Sequence, residues 1–225
     1  MQHIAIYDLD KTIVRTPTFT AFLMFAARQM DRGLWWRLLV WVGAMIGYTL
    51  KLYGRKQLKQ FGMRLFIGPA FSAVLAKALA HMFAAKIVPA DVLPGAAKAI
   101  KADQEAGYLI VIASAAQAFY ADHIGAALGI DTVIATENQR IASGEYTAKI
   151  DGENNYGPEK LRRVKAWLST AGYDRSNCHI RAYSDHISDA PLLDWADEAV
   201  FVTASRTKAH AAVSRGWQAL DFTID

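Results

Sequence analysis

Cysteine is almost absent from this chain of 225 residues, in which Cys178 is the single one. One cysteine excludes an internal disulfide framework and a cysteine-based metal cluster. The sequence also lacks internal repeats, low-complexity tracts and an obvious linker. An apolar share of 53% is ample for a hydrophobic core, which argues against a disordered chain.

Neither positive nor negative charge is in large excess. The 25 Lys and Arg residues against 21 Asp and Glu give a formal net charge of +4. This total does not indicate a nucleic-acid partner, and we expect none. The N-terminus, MQHIAIYDLD, has neither a basic leader nor a small-residue cleavage site, so no secretory signal is expected. We expect a cytoplasmic protein, with membrane association as the alternative that the apolar stretch described below leaves open.

Short apolar runs alternate with helical patterns over much of the chain. The runs predict strands at His3–Tyr7, Tyr108–Ala113, Thr132–Ala135, His179–Tyr183, Ala199–Val202 and near Trp217–Asp221. The helical patterns lie at Ala96–Ala106, Gln117–Leu128, Pro158–Thr170, Pro191–Trp195 and Lys208–Arg215, and a hairpin is predicted at Glu137–Ile150. This alternation predicts an α/β fold with a mainly parallel sheet covered by helices on both faces.

A long helical stretch from about residue 15 to residue 88 interrupts that alternation. It contains no clear strand pattern, and Pro89, Pro94 and Gly95 mark its end. We therefore predict a three-layer α/β core formed by residues 1–14 and 89–225. Residues 15–88 are predicted to form a helical cap inserted into that core.

Polar side chains cluster next to the predicted strands, where open α/β sheets bind their ligands. The cluster contains Asp8, Asp10 and Thr12 after the first strand, Ser114 after the second, Lys160 at a helix start, and Asp185 and Asp189 after the fourth strand. Carboxylates suit Mg²⁺, and a lysine and hydroxyl groups can hold phosphate oxygens. A carboxylate nucleophile can split a hydrolysis into two easier steps. The cluster therefore indicates phosphoryl transfer.

The same motifs resemble those of the haloacid dehalogenase (HAD) superfamily, and most of all its phosphoserine-phosphatase-like branch, subfamily IB. DLDKT, which ends at Thr12, resembles the first motif, and IVIAS, which ends at Ser114, the second. GPEK, which ends at Lys160, resembles the third, and YSDHISDAPLL the fourth. The resemblance spans about residues 3–221 and is weakest in the predicted cap. It implies a HAD-like Rossmannoid core with a helical cap.

The resemblance also implies a role for each residue of the motifs. Asp8 would attack phosphorus and carry an aspartyl-phosphate, and Asp10 would act as general acid and then as general base. Thr12, Ser114 and Lys160 would bind the phosphoryl group. The implied enzyme is a phosphomonoesterase.

Mg²⁺ is the cofactor that the resemblance implies. Its ligands would be Asp8, Asp10 through the backbone carbonyl, and Asp185. Asp189 would support the site from close by, on a metal-bound water or on Lys160.

One departure from the family pattern concerns the substrate. Phosphoserine phosphatases of this branch carry a glutamate shortly after the first motif, which holds the substrate ammonium. Here that stretch reads VRTPTF from Val14 to Phe19, without an acidic residue. Phosphoserine is therefore disfavoured, and a small or lipid-like phosphate ester is the expected substrate and partner.

The predicted cap contains an apolar, tryptophan-rich stretch from Leu34 to Leu52, surrounded by basic residues. Its charge-free part is shorter than the roughly 20 residues that a spanning helix needs. Three interpretations remain: a helix packed in the cap's own core and on the α/β domain, an apolar substrate pocket or peripheral membrane contact, and a homodimer interface. Arg55 and Arg64 are candidates to reach the substrate from the cap, but we expect both to lie on a solvated face.

Two other functions stay open. A phosphotransferase or mutase would use the same chemistry with a sugar as acceptor, and a non-catalytic membrane-docking or regulatory protein would retain only the fold. The presence of all the motif aspartates together with Lys160 favours an enzyme.

Overall fold

The computed structural model of the chain describes residues 1–31 and 33–224. Strands in the described residues are β1 (Gln2–Tyr7), β2 (Ala70–Phe71), β3 (Leu109–Gln117), β4 (Thr132–Thr136), β5 (Asn138–Arg140), β6 (Tyr146–Ile150), β7 (Cys178–Ser184), β8 (Glu198–Val202) and β9 (Gln218–Leu220). Helices are α1 (Thr18–Gln29), α2 (Leu34–Thr49), α3 (Arg55–Phe66), α4 (Ala73–Asp91), α5 (Pro94–Glu105), α6 (Ala118–Ala127), α7 (Pro158–Thr170), α8 (Ala190–Trp195) and α9 (Arg206–Val213). Short 3-10 turns lie at Arg175–Asn177 and Ile187–Asp189.

The main sheet has six parallel strands in the order β4-β3-β1-β7-β8-β9. Alternate residues of β1 face opposite sides of it, as the strand pleat requires. Ile4 and Ile6 pack in the apolar layer that includes Val164 of α7. Ala5 and Tyr7 pack in the other layer, which includes α1, α4, α5 and α6. The predicted parallel sheet and three-layer α/β architecture are confirmed.

A small second sheet joins the predicted hairpin to the helical stretch. β5 and β6 pair antiparallel, which confirms the hairpin, and β2 pairs antiparallel with β6 through Ala70 and Thr147. The prediction of no strand between residues 15 and 88 is therefore wrong at Ala70–Phe71. A strand of two residues is too short to show the alternating pattern by which strands are predicted.

Helix α4 also continues beyond the proline that we expected to end the helical stretch. Pro89 lies inside α4, whose last residue is Asp91. Pro89 cannot donate to the carbonyl four residues earlier, but it lies only two residues before the last residue of the helix, so little of the helix follows the lost hydrogen bond. Just beyond it, Leu93 N donates to Ile13 O at 2.9 Å, and Val14 forms a bridge with Val92. The start and the end of the helical stretch therefore lie side by side at the rim of the sheet. The domain boundaries, at residues 14/15 and 88/89, stay a prediction.

Two helices are notable for their apolar character. Among the described residues, α4 alone is long and apolar enough to cross a membrane by length and composition, and core helices of other folds meet the same criterion. Its buried residues, among them Phe83, belong to the main core. Helix α2 buries only Trp41 and Gly47. It is therefore packed on one side, and its other side is exposed.

Candidate active site

The loop after β1 presents two carboxylates at the end of the strand. Asp8 continues the sheet, because its N–H donates to Tyr183 O at 2.9 Å. Lys11 has a φ of 60°, and the N–H of Val14 closes the turn on Leu9 O at 3.0 Å. This tight turn directs the chain back toward the sheet, so that Asp8 and Asp10 both line one cleft.

Asp10 is held by the first residue of α1. Its Oδ1 accepts hydrogen bonds from Thr18 N at 2.8 Å and from Thr18 Oγ1 at 2.7 Å. Thr18 is fully buried, so this anchor is shielded from water. The carboxylate of Asp10 is therefore fixed in orientation before any substrate binds.

Lys160 lies at the centre of the cleft, in the first turn of α7. Gly157 precedes that turn with a φ of 61°, which a residue with a side chain rarely adopts. The Lys160 Nζ is 2.8 Å from Asp8 Oδ1 and 2.5 Å from Asp189 Oδ2. Burial lowers the pKa of Lys160, but the two carboxylates outweigh it and raise the pKa above its ordinary value. The lysine is therefore a buried, permanently charged ammonium group.

Asp185 and Asp189 follow β7. Ser184 Oγ donates to Asp189 Oδ2 at 2.7 Å, so this oxygen receives hydrogen bonds from both Ser184 and Lys160. Burial, helped by the charges of Asp189 and Asp10, raises the pKa of Asp185 to about 6. Burial likewise raises the pKa of Asp8, and Lys160 opposes this. Each of these two buried carboxyl groups is therefore harder to ionise than a carboxyl group in water.

Ser114 lines the same cleft from β3, whereas Thr12 does not. Ser114 Oγ accepts a hydrogen bond from Ala116 N at 3.1 Å, and its carbonyl accepts one from Asn155 Nδ2 at 2.9 Å. The hydroxyl of Thr12 is buried and has no hydrogen-bond partner in the described part of the chain. Thr12 is outside the cleft lining, and its predicted phosphate contact stays a prediction.

The cleft has a volume of about 270 Å³. It brings together every other predicted site residue: Asp8, Asp10, Ser114, Lys160, Asp185 and Asp189. It is also lined by Lys11, Pro17, Arg55, Ala115, Tyr156, His186 and Ser188. The carboxyl ends of three neighbouring strands meet here, as the parallel topology requires.

Arg55 reaches the cleft from α3, which is the less favoured of the two positions that the sequence left open for it. Its guanidinium lies 3.8 Å from the ring centroid of Tyr156, a cation–π contact. The expectation of a solvated face is therefore wrong for Arg55, and it is confirmed for Arg64, which is exposed. Tyr156 is distant in sequence, so only the tertiary structure supplies the aromatic partner that holds Arg55 over the cleft.

Lys59 is a second functional candidate that the sequence did not single out. It lies one turn after Arg55 on α3 and is only 6% exposed. Its Nζ donates to the carbonyl of Ala115 and, at 2.7 Å, to Asn154 Oδ1. Burial lowers the pKa of Lys59 to about 7. The sequence did contain one indication of this position: Arg55 and Lys59 are four residues apart, which places both on one face of a helix.

The amide side chain of Asn155 connects the loop before α7 to the sheet. Its Nδ2 donates to Ser114 O at 2.9 Å and to Ile134 O at 2.7 Å, and it is fully buried. Asn155 therefore fixes Lys160, five residues further on, relative to the ends of β3 and β4.

The residues of the cleft fit a magnesium ion. Among the described residues, no three His, Cys, Asp or Glu side chains form a metal-binding group. The predicted site needs only two side-chain carboxylates, those of Asp8 and Asp185, because its third protein ligand is the backbone carbonyl of Asp10. Burial is the main cause of the raised pKa of Asp185, and the charges of Asp189 and Asp10 add to it; a bound divalent cation would favour the ionised carboxylate. Three oxygen ligands from the protein leave room for the water molecules that Mg²⁺ usually retains.

Fold and site together define a class of protein. Residues 5–194 match the family model of haloacid dehalogenase-like hydrolases, and the chain belongs to this family. The predicted resemblance and the predicted enzyme class, a hydrolase of phosphoric monoester bonds, are confirmed.

Several curated relatives carry phosphatase names. A probable phosphatase of Mycobacterium tuberculosis is 27% identical over 222 residues, which cover 97% of this chain and 75% of the relative. A histidinol-phosphatase of Neisseria meningitidis is 24% identical over 99% of this chain and 100% of the relative.

Solved structures show the same fold. A protein of unknown function from Bordetella pertussis has a TM-score of 0.87 and 25% identity, with 99% of each chain covered. Phosphoserine phosphatases match with TM-scores of 0.63 to 0.64 at 14% identity, which shows a shared fold.

Proposed function

We propose that this chain is a magnesium-dependent phosphomonoesterase that forms an aspartyl-phosphate on Asp8. The observation that carries the proposal is the ion pair between Lys160 Nζ and Asp8 Oδ1 at 2.8 Å, in a cleft that also contains the anchored carboxylate of Asp10. A nucleophile, a phosphate-neutralising cation and a proton donor then lie within one site. This is the set of groups that phosphomonoester hydrolysis through a covalent intermediate needs.

The first half of the reaction forms the covalent intermediate. An oxygen of Asp8 attacks phosphorus, and the bond between phosphorus and the ester oxygen breaks. Asp10 gives its proton to that oxygen, so the leaving group departs as a neutral alcohol. We assign this transfer to Asp10 Oδ2, since Thr18 occupies Oδ1.

The second half releases phosphate. Asp10, now a carboxylate, takes a proton from water while the water oxygen attacks phosphorus. The bond between phosphorus and Asp8 breaks, inorganic phosphate leaves, and both aspartates return to their starting forms.

Lys160 and Ser114 would hold the phosphoryl oxygens through both steps. Asp189 keeps the ammonium of Lys160 in place at 2.5 Å. Asp8, Asp185 and the carbonyl of Asp10 would hold Mg²⁺, which supplies additional positive charge to the phosphoryl oxygens.

We further propose that the substrate is a small or lipid-like phosphate ester rather than phosphoserine. Within the described residues, the only carboxylates that line the cleft are the four motif aspartates, so none is left to bind a substrate ammonium. Arg55 and Lys11 give the mouth a positive charge instead. A groove of about 710 Å³ between α1 and α4 shares Pro17 with the cleft and includes Phe25 and Phe83. Such a groove suits an apolar leaving group.

The expected cytoplasmic location stays a prediction.

The test of the chemistry is phosphate release from p-nitrophenyl phosphate with Mg²⁺. We expect release by the wild type, loss of release with EDTA, and a fall of at least about a thousandfold in Asp8→Asn. Asp131→Asn is the matched control, because Asp131 is exposed, does not line the cleft and precedes the amino end of β4. It should retain wild-type activity.

A narrow site could reject the artificial substrate, so a second readout is needed. Beryllofluoride with Mg²⁺ mimics a phosphoryl group on an aspartate, and it should raise the melting temperature of the wild type but not of Asp8→Asn. A folded wild type that neither releases phosphate nor responds to beryllofluoride would overturn the proposal. With activity established, lipid phosphates, small phosphate esters, phosphoserine and histidinol phosphate can be compared by kcat/KM.

A further inference from the structure

Helix α2 presents an apolar surface to solvent. Six large apolar side chains on it and just after it are 55 to 83% exposed: Trp35, Leu39, Val42, Ile46, Leu50 and Leu52. We call these six residues the α2 outer face. The first four follow the four- and three-residue spacing that places side chains on one side of a helix. A continuous apolar patch of this kind marks an interaction site.

The α2 outer face is too short to span a bilayer. The helix has 16 residues, which at about 1.5 Å each give about 24 Å, whereas the hydrocarbon core is about 30 Å thick. Its opposite side packs against the protein, where the Trp41 ring contacts the rings of Phe19 and Phe66. A helix that is packed on one side and apolar on the other suits a position in the plane of the membrane interface. Trp35, at 83% exposure, has the amphipathic ring that is typical of that interface.

The charge around the α2 outer face is mainly positive. Residues 18–90 contain ten Lys and Arg and one acidic residue, whereas the rest of the chain contains 15 basic and 20 acidic residues. Exposed basic side chains flank the helix. Arg28 and Lys86 line a groove together with Met45 of α2. Asp91 also lines this groove, where its carboxylate accepts hydrogen bonds from Thr16. Lys51 follows the end of the helix.

We propose that the α2 outer face docks on the surface of an anionic lipid bilayer. Arg28, Lys51 and Lys86 face the lipid headgroups, and the apolar side chains enter the interface. Basic residues next to an apolar face strengthen attachment to anionic lipids, and salt weakens it. A second copy of the chain fits this face less well, because a dimer formed through it brings two strongly basic caps together and like charges repel.

The test is sedimentation of the full chain with two kinds of vesicle, one of phosphatidylcholine alone and one with about a third phosphatidylserine, a content that gives a negative surface potential. We expect binding to the anionic vesicles that weakens when NaCl is raised from low to high concentration. The double variant Leu39→Glu with Ile46→Glu should lower vesicle partitioning by more than about tenfold, since burial of each apolar side chain contributes strongly to attachment. Arg28→Gln with Lys51→Gln and Lys86→Gln should lower binding to anionic vesicles.

The matched control is Ile141→Glu with Val213→Glu, which adds the same charge at exposed apolar positions outside the cap. It should bind vesicles like the wild type. Vesicle binding does not need catalysis, so its result is independent of the proposed phosphatase activity. Circular dichroism melting verifies that each variant is folded. The proposal is overturned if the wild type stays in the supernatant with anionic vesicles, or if light scattering shows a dimer that the outer-face variant dissociates while neither protein binds lipid.

Discussion

Replacement of Lys59 by methionine should change how the stability of this protein depends on pH. Burial lowers the pKa of Lys59 from 10.5 to about 7, so between these values the unfolded chain binds a proton that the folded protein does not. The free energy of unfolding of the wild type therefore rises with pH in this range. One proton corresponds to about 1.4 kcal/mol per pH unit, which gives about 2 kcal/mol from pH 7 to pH 9.

Lys59→Met removes the titrating group and keeps most of the apolar stem. We expect the variant to be more stable than the wild type at pH 7, because a buried ammonium no longer has to be desolvated. Its advantage should shrink by about 2 kcal/mol between pH 7 and pH 9 as the wild-type lysine becomes neutral.

The assay is equilibrium unfolding in urea at pH 7, 8 and 9, in the presence of EDTA. Lys77→Met on α4 is the control, because Lys77 is exposed, and its difference from the wild type should not vary with pH. A constant difference for Lys59→Met would refute the reasoning. It would show that the hydrogen bonds to Ala115 O and Asn154 Oδ1 keep the ammonium charged in the folded protein.

Two further predictions concern the core and the metal site. Asp103 accepts hydrogen bonds from two tyrosine hydroxyls at 2.6 and 3.1 Å and pairs with Arg181. Asp103→Leu should therefore lower the free energy of unfolding by about 2–4 kcal/mol, because two tyrosine hydroxyls lose their buried acceptor and Arg181 keeps only Glu198 as a partner; a loss below about 1 kcal/mol in urea unfolding would contradict this. Burial raises the pKa of Asp185 to about 6 and also raises that of Asp8. Since a carboxylate binds metal only when deprotonated, Mg²⁺ affinity should fall as pH decreases through 6, and calorimetry in buffers of different ionisation enthalpy should detect proton release. Affinity that is constant from pH 5 to pH 7 would contradict this.

Several parts of the fold could be predicted because they follow from short stretches of chain. The run from His3 to Tyr7 is apolar and is followed at once by Asp8, so both the strand and its functional end are visible locally. The same holds for α7, whose bounds Pro158–Thr170 agree with the prediction. Proline suits the first turn of a helix, and a parallel strand that is covered on both faces is apolar throughout.

Other features could not be predicted, because they depend on partners far away in sequence. β2 exists only as a partner of β6. Lys59 has the sequence context of a solvated helix lysine, yet α3 packs so that its ammonium meets Ala115 and Asn154. The exposure of α2 is a similar case, since apolar composition alone predicts burial and does not say which side is covered.

Outside residues 15–88, the sequence by itself determined the order of strands and helices and the residue types that follow each strand. These are properties of local patterning and of chemistry, and they were sufficient to predict the α/β class and the aspartates of the cleft. Only the tertiary structure decided that Arg55 joins the cleft, that Lys59 is buried and that the apolar side chains of α2 face outward. The physical reason is that burial and electrostatic environment arise from the packing of distant segments, which no local pattern encodes.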